Sequence, residues 1–383
     1  MVGINQLSKL EDNEMALVNS SHLSEHIIRQ IQDQGPISFH DYMETCLYHP
    51  EMGYYTTNTD IIGKEGDFYT STTISPVFGA MIAKQLEEMW MHMGTPAFTI
   101  VEYGAGTGDL CKSILNYLKN NERMYKELRY CIIEKSPIMC NQEVKQLTEK
   151  VEWYNSIKEI KDLNGCVLSN ELVDNFAIHR VVMQQELMEV FVAHQNGFTE
   201  TLQPANPELV NYLAELNVSL PRGYSTEINL EALDWLAEIA SALNSGYVLT
   251  IDYGFQNSEL YNDSKSQGTL LCYHHHAIND SPYEHIGEQD MTCHINFSAL
   301  AHWGAKDGLA LCGLTNQGYF LMSFGFREHL IKSLAQEKDV LRAAAQVAAI
   351  SHTLLLEMGS KYKVLIQQKG LKSAQLSGLA CCI

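Results

Sequence analysis

The stretch TIVEYGAGTGDL, Thr99 to Leu110, constrains the fold more than any other part of the chain. An apolar run ends in Gly104, Gly106 and Gly108, and an amphipathic pattern, DLCKSILNYLKN, begins at Asp109. Glycine lets the backbone turn tightly and approach a ligand closely, and a following helix offers free N–H groups at the positive end of its dipole. Strand, glycine turn and helix together predict a site for a nucleotide-like ligand.

The spacing narrows the ligand. A dinucleotide site wants G-x-G-x-x-G, and Asp109 stands where the third glycine belongs. Glu102, just before the turn, repels a pyrophosphate but attracts the ammonium of the methionine part of S-adenosylmethionine. The methyl donor therefore fits better than NAD. Glu134 ends the next apolar run, CIIE, where an acid accepts ribose hydroxyls in either kind of site.

From Phe98 onward, short apolar runs alternate with helical patterns: FTIVEYG, DLCKSILNYLKN, LRYCIIEKS, VEWYN and CVLSNEL. This rhythm predicts an α/β fold, a Rossmann-like, doubly wound, seven-stranded sheet with an N-terminal cap and inserted lid segments. The expected division is a tail at 1–20, a helical and aromatic cap at 21–95, core at 96–180, an antiparallel insertion at 181–230, core again at 231–256, a substrate-side loop insertion at 257–295 and the core's end at 296–383. In the cap, SSHLSEHIIRQIQDQG puts Leu23, Ile27, Ile28 and Ile31 on one helical face, and Asn196-Gly197 marks a turn in the insertion.

The chain carries 26 Lys and Arg against 46 Asp and Glu, a formal charge of −20, which disfavours nucleic acid and favours cationic ligands or basic protein segments. Its 10 cysteines show no C-x-x-C pair, as expected of reduced thiols in the cytoplasm. The start lacks an apolar signal core, and no run of about 18 apolar residues is present, so neither targeting nor a membrane partner is expected. A homodimer is compatible with the sequence.

At LSNELVDNFAIHR, Leu168 to Arg180, a buried-strand pattern ends in Asn170, Glu171 and Asp174. In doubly wound folds ligands sit beyond the carboxyl ends of the strands, which places these residues toward a transferable methyl. Glu171 is the expected orienter of a guanidinium or other nucleophile, Asn170 its neighbour on both donor and acceptor, and Asp174 either a helper or a turn cap. An oxygen nucleophile calls instead for a base such as His179, His276 or His294. Cys272, His274, His276, Cys293 and His294 match no closed zinc spacing, so no metal is expected.

The order and spacing of GPISFHDYMETCLYHPEMGYY, GDFYTSTTISPVFG, VEYGAGTGDL, NELVDNFAIH, IDYG, GTLLCYHHH, GEQDMTCHINFSALA and MGSKYKVL resemble the MidA-type class I methyltransferases. Mitochondrial members of that family assist respiratory complex I assembly. The resemblance runs from about Gly35 to about Gly370. It implies S-adenosylmethionine as donor, a protein arginine as acceptor, and a segment with Gly66, Asp67 and Ser75 folded over the cofactor beside Gly104, Ala105, Gly106, Gly108 and Glu134. It also brings His276 and His294 to the acceptor pocket. Ala105, Thr107 and Ala177 depart from residues usual in relatives, which keeps a small-molecule acceptor, methylated on oxygen, and a non-catalytic assembly role as alternatives.

Overall fold

The computed structural model describes residues 21–57, 69–147, 150–372 and 374–380. Seven strands form the backbone of the central sheet: β1 (Phe98–Tyr103), β2 (Leu128–Ile133), β3 (Val151–Tyr154), β4 (Leu163–Asn170), β5 (Leu243–Phe255), β6 (Ala310–Asn316) and β7 (Tyr362–Lys369). Their spatial order is β6-β7-β5-β4-β1-β2-β3, with a short strand at Ile295–Asn296 added to the end of β5. β1 to β5 pair in parallel, and β7 runs antiparallel to both β5 and β6. The order therefore reverses between β1 and β4, and a cleft opens there at the strands' carboxyl ends.

Strand alternation divides the core between the two faces. Ile100, Ile132, Leu168, Leu249 and Ile366 pack with helix α1 (Pro76–Met93) and helix α2 (Asp109–Leu118). Val101, Cys131, Val167, Val248 and Leu365 pack with helix α3 (Glu231–Ala242) and helix α4 (Phe297–Lys306). Burial on both faces explains why the sequence shows continuous apolar runs and not polar alternation. α1 starts where the Ser75 hydroxyl accepts the Val77 N–H at 3.3 Å ahead of Pro76, and ends at Gly94 with φ 65°.

The N-terminal segment is stitched to the insertion. A helix over 21–34 leads into Ile37–Ser38, which pairs antiparallel with Leu187–His194 through Ile37 and Val192. His179–Met183, Phe198–Pro204 and Ser225–Ile228 complete this second sheet. Asn196 and Gly197 make the turn with φ 60° and 130°. The 257–295 region, read from sequence as loop, holds a three-stranded sheet of Leu271–His274, Ala277–Asn279 and Asp290–Thr292. Cys272 and Met291 anchor it in the hydrophobic cluster under the N-terminal segment, which the loop-rich composition concealed. Among the described residues, no helix is long and apolar enough to cross a membrane.

Candidate active site

A cavity of about 410 Å³ lies at the carboxyl ends of β1, β2 and β4. Its floor is the glycine turn. Gly104 and Gly106 hold φ of 63° and 57°, the left-handed region that favours glycine. A Cβ added at Gly104 would come within 2.7 Å of Leu172 Cδ1 on the cavity wall. Gly108, φ 77°, caps α2 and is not part of the lining.

Two carboxylates flank the floor. Glu102 is 2% exposed and accepts the Tyr130 hydroxyl at 2.6 Å. Burial pushes its carboxyl up to about 7, and the Tyr130 hydrogen bond acts in the opposite direction. Glu134, one residue past β2, accepts the Ser136 N–H at 2.8 Å. Burial raises it as well, while backbone N–H groups of Ser136, Gly106 and Lys135 favour its charged form. Glu102, Gly104, Ala105, Gly106, Glu134 and Asn170 all line the one cavity.

The opposite wall comes from the end of β4 and from distant segments. Glu171 takes φ 53°, an uncommon conformation for a side-chain-bearing residue. Its Oε1 accepts the Ser71 N–H at 2.9 Å and the Asn170 amide at 3.1 Å, and its Oε2 accepts the Tyr362 hydroxyl at 3.1 Å. Burial raises the Glu171 carboxyl against these three donors. The Asn170 Oδ1 is buried without a hydrogen-bond partner. Tyr48 and Tyr55 stack at 5.4 Å on the same cavity, and Tyr48 donates to Asn175 Oδ1 at 2.6 Å. Trp235, on α3, meets Tyr103 and Phe176 edge-on at 5.8 and 6.0 Å.

Other expected site residues lie elsewhere. Asp174 is 6% exposed and sits in the turn Val173–Asn175, outside the cavity lining. Burial and the neighbouring Asp252 and Asp290 raise it well above the usual carboxylate range. His276 occupies the hairpin turn between Leu271–His274 and Ala277–Asn279 with φ 60°, its ring stacked on Tyr69 at 5.4 Å. It does not reach the cavity lining, because the hairpin carries it out over Tyr69. His294 packs against Tyr253 and Phe255 at 5.2 and 4.9 Å, and burial lowers it to about 4, so it is a neutral imidazole held in aromatic packing. Ser75 is spent as the α1 cap. His179 binds the buried Glu189 at 2.6 Å. Gly66 and Asp67 lie outside the described residues.

Sequence reading missed Tyr48, Tyr55, Thr72, Trp235 and Tyr362, whereas Thr70, in the segment expected to fold over the cofactor, does line the cavity. The density of aromatics in YHPEMGYY was a usable signal for the first two. The remainder reach the site only through tertiary packing.

Parallel strands switching at a glycine turn, with acids ending the first two of them, define a Rossmann-like fold with a nucleotide-type ligand cleft. Residues 81–315 match the family model described as "Putative S-adenosyl-L-methionine-dependent methyltransferase". The chain belongs to this family, the MidA-type S-adenosylmethionine-dependent methyltransferases. It is similar to the mitochondrial protein arginine methyltransferase NDUFAF7 of Danio rerio, with 27% identity covering 85% of this chain and 82% of that one. The Drosophila melanogaster homolog is 23% identical over 92% of this chain and 86% of its own length. A Burkholderia thailandensis protein crystallised with S-adenosyl-homocysteine superposes with a TM-score of 0.86 at 28% identity, over 96% of both chains.

Proposed function

We propose that the protein transfers a methyl group from S-adenosylmethionine to the side chain of a protein arginine. The carrying observation is Glu171, a carboxylate placed on the cavity wall in a rare backbone conformation, with three donors fixing its two oxygens. Around it the described lining residues supply Glu102, Glu134, Glu231, Asp234 and Glu238 against one cation, Lys135, whose Nζ sits 5.0 Å over the Tyr48 ring. A planar guanidinium is the natural partner of such a carboxylate. The protein arginine methyltransferases that the chain resembles support the same acceptor.

The residues fit the donor. The left-handed glycine turn leaves room a Cβ would fill, and two carboxylates line the same cavity, which supports reading Glu102 as the partner of the donor's ammonium and Glu134 as that of its ribose hydroxyls. When bound, S-adenosylmethionine supplies an electrophilic methyl on a good leaving group. The protein's task is then orientation and exclusion of water. Glu171 orients the acceptor nitrogen, and its raised pKa suits it to take the proton that nitrogen gives up. Tyr48, Tyr55 and Trp235 supply apolar walls. No histidine is present among the described lining residues, which weighs against a histidine-assisted oxygen methylation.

Incubation with methyl-labelled donor and a cell lysate, followed by hydrolysis of the protein fraction, tests this reading. Labelled methylarginine is expected; label confined to small molecules would overturn it. We also place the enzyme in a reducing compartment such as the cytoplasm, a reading supported by the eight described cysteines, all of them free.

A further inference from the structure

Asp252, in the IDYG stretch on β5, has no part in the cavity and is 0% exposed. Its Oδ2 accepts the N–H groups of Leu172, Val173 and Asp174 at 3.2, 3.0 and 3.3 Å, and its Oδ1 accepts the Tyr253 N–H at 2.9 Å. Successive N–H groups converging on one oxygen form an anion-binding concavity. It lies where the chain has just left β4, and the residue before it is Glu171.

Glu171 is thereby held by β5 on both sides. Its own N–H donates to the Ile251 carbonyl at 2.9 Å, and the next three N–H groups end on Asp252. A left-handed, side-chain-bearing residue persists only where its surroundings over-determine it. Beside the donors to its carboxylate, the backbone on the far side of Glu171 is held by a buried carboxylate about 80 positions away in the chain, which takes three successive N–H groups of the turn, while Asn229 and the Cys293 N–H bind the Val173 and Asp174 carbonyls at 3.1 and 2.9 Å.

We propose that Asp252 is a positioning residue for methyl transfer: by binding the 172–174 turn it fixes the Glu171 carboxylate at the acceptor side of the cavity. The inference rests on the acceptor-orienting role given to Glu171 above. It predicts an effect on turnover that passes through Glu171 and nowhere else. An Asp252→Asn change keeps the side chain's shape but turns one of its two accepting oxygens into an amide donor, so the four N–H groups of Leu172, Val173, Asp174 and Tyr253 can no longer all be satisfied.

The test is a double-mutant cycle on the full chain with Asp252→Asn, Glu171→Gln and the two combined, using whichever acceptor takes label from the wild type. Asp252→Asn is expected to lower turnover about tenfold or more, and to add less than about twofold once Glu171 is already Gln. Amide exchange at 172–174 should quicken, while the affinity for S-adenosyl-homocysteine, read by calorimetry, stays within about threefold. A merely structural carboxylate would lower donor affinity and turnover together, and its loss would multiply with that of Glu171→Gln. Multiplying losses, or full turnover despite faster exchange, would overturn the proposal. Should Asp252→Asn not fold, Asp252→Glu takes its place in the cycle, with the charge kept at a longer reach. Absence of methylarginine in the product would reject the arginine acceptor alone and leave this cycle readable.

Discussion

The two sides of the cavity are built differently. The donor floor comes from one stretch, Glu102 to Ser136, in which strand ends, turn and acids follow one another along the chain. The acceptor wall is assembled from Tyr48 and Tyr55, Thr70 and Thr72, Asn170 to Leu172, Asn175 and Phe176, α3, and Tyr362 behind Glu171. A local floor is fixed by backbone geometry, whereas an assembled wall is fixed by hydrogen bonds between distant segments. The two should therefore fail separately when mutated.

The largest expected effect is on the wall. Glu171→Gln keeps the hydrogen-bonding shape but removes the charge and the proton acceptor, and turnover should fall on the order of 10²–10³-fold in a steady-state assay. Next comes the floor: Glu134→Ala removes a carboxylate expected at the ribose, and donor affinity by calorimetry should weaken about tenfold to a hundredfold. Loss of turnover without loss of affinity in Glu134→Ala would blur the division.

A pH titration sharpens the floor further. Glu102 sits at about 7 in the folded protein, above its ordinary 4.5, so the folded state binds the proton more tightly. The stability it contributes is present below pH 4.5 and is lost as pH rises through 7. With Glu102 at the donor's ammonium as proposed, donor binding needs the charged form, so affinity should increase across the same window and level off above it. Glu102→Gln should flatten that profile, raising the melting temperature of the ligand-free protein at pH 8 while weakening donor binding. A smaller effect is expected at the cap. Ser75→Ala should cost about 1 kcal/mol of stability in denaturant unfolding, with donor affinity unchanged. His276→Ala should leave turnover as it is, since its ring rests on Tyr69 and not on the cavity.

The same contrast explains what could be seen in the sequence. The glycine turn, Glu102, Glu134 and the alternation of strands and helices were legible because each depends on neighbours along the chain. Glu171 and Asn170 were legible because a strand end faces the cleft by topology. Asp174, three residues further on, was not: the turn held by Asp252 aims it into the interior, and nothing in LVDNF signals that direction. His294 looked like a base by composition, but Tyr253 and Phe255 around it become visible only when β5 and the 295–296 strand pair. The pairing of Ile37 with Val192 joins segments that the sequence presents as unrelated.

The separation of floor and wall is tested most directly by titrating S-adenosyl-homocysteine into Glu171→Gln and measuring turnover on the same preparation. Donor-product affinity is expected within about threefold of wild type, with turnover reduced at least a hundredfold. Affinity and turnover falling together would contradict that separation, because Glu171 would then belong to the donor floor.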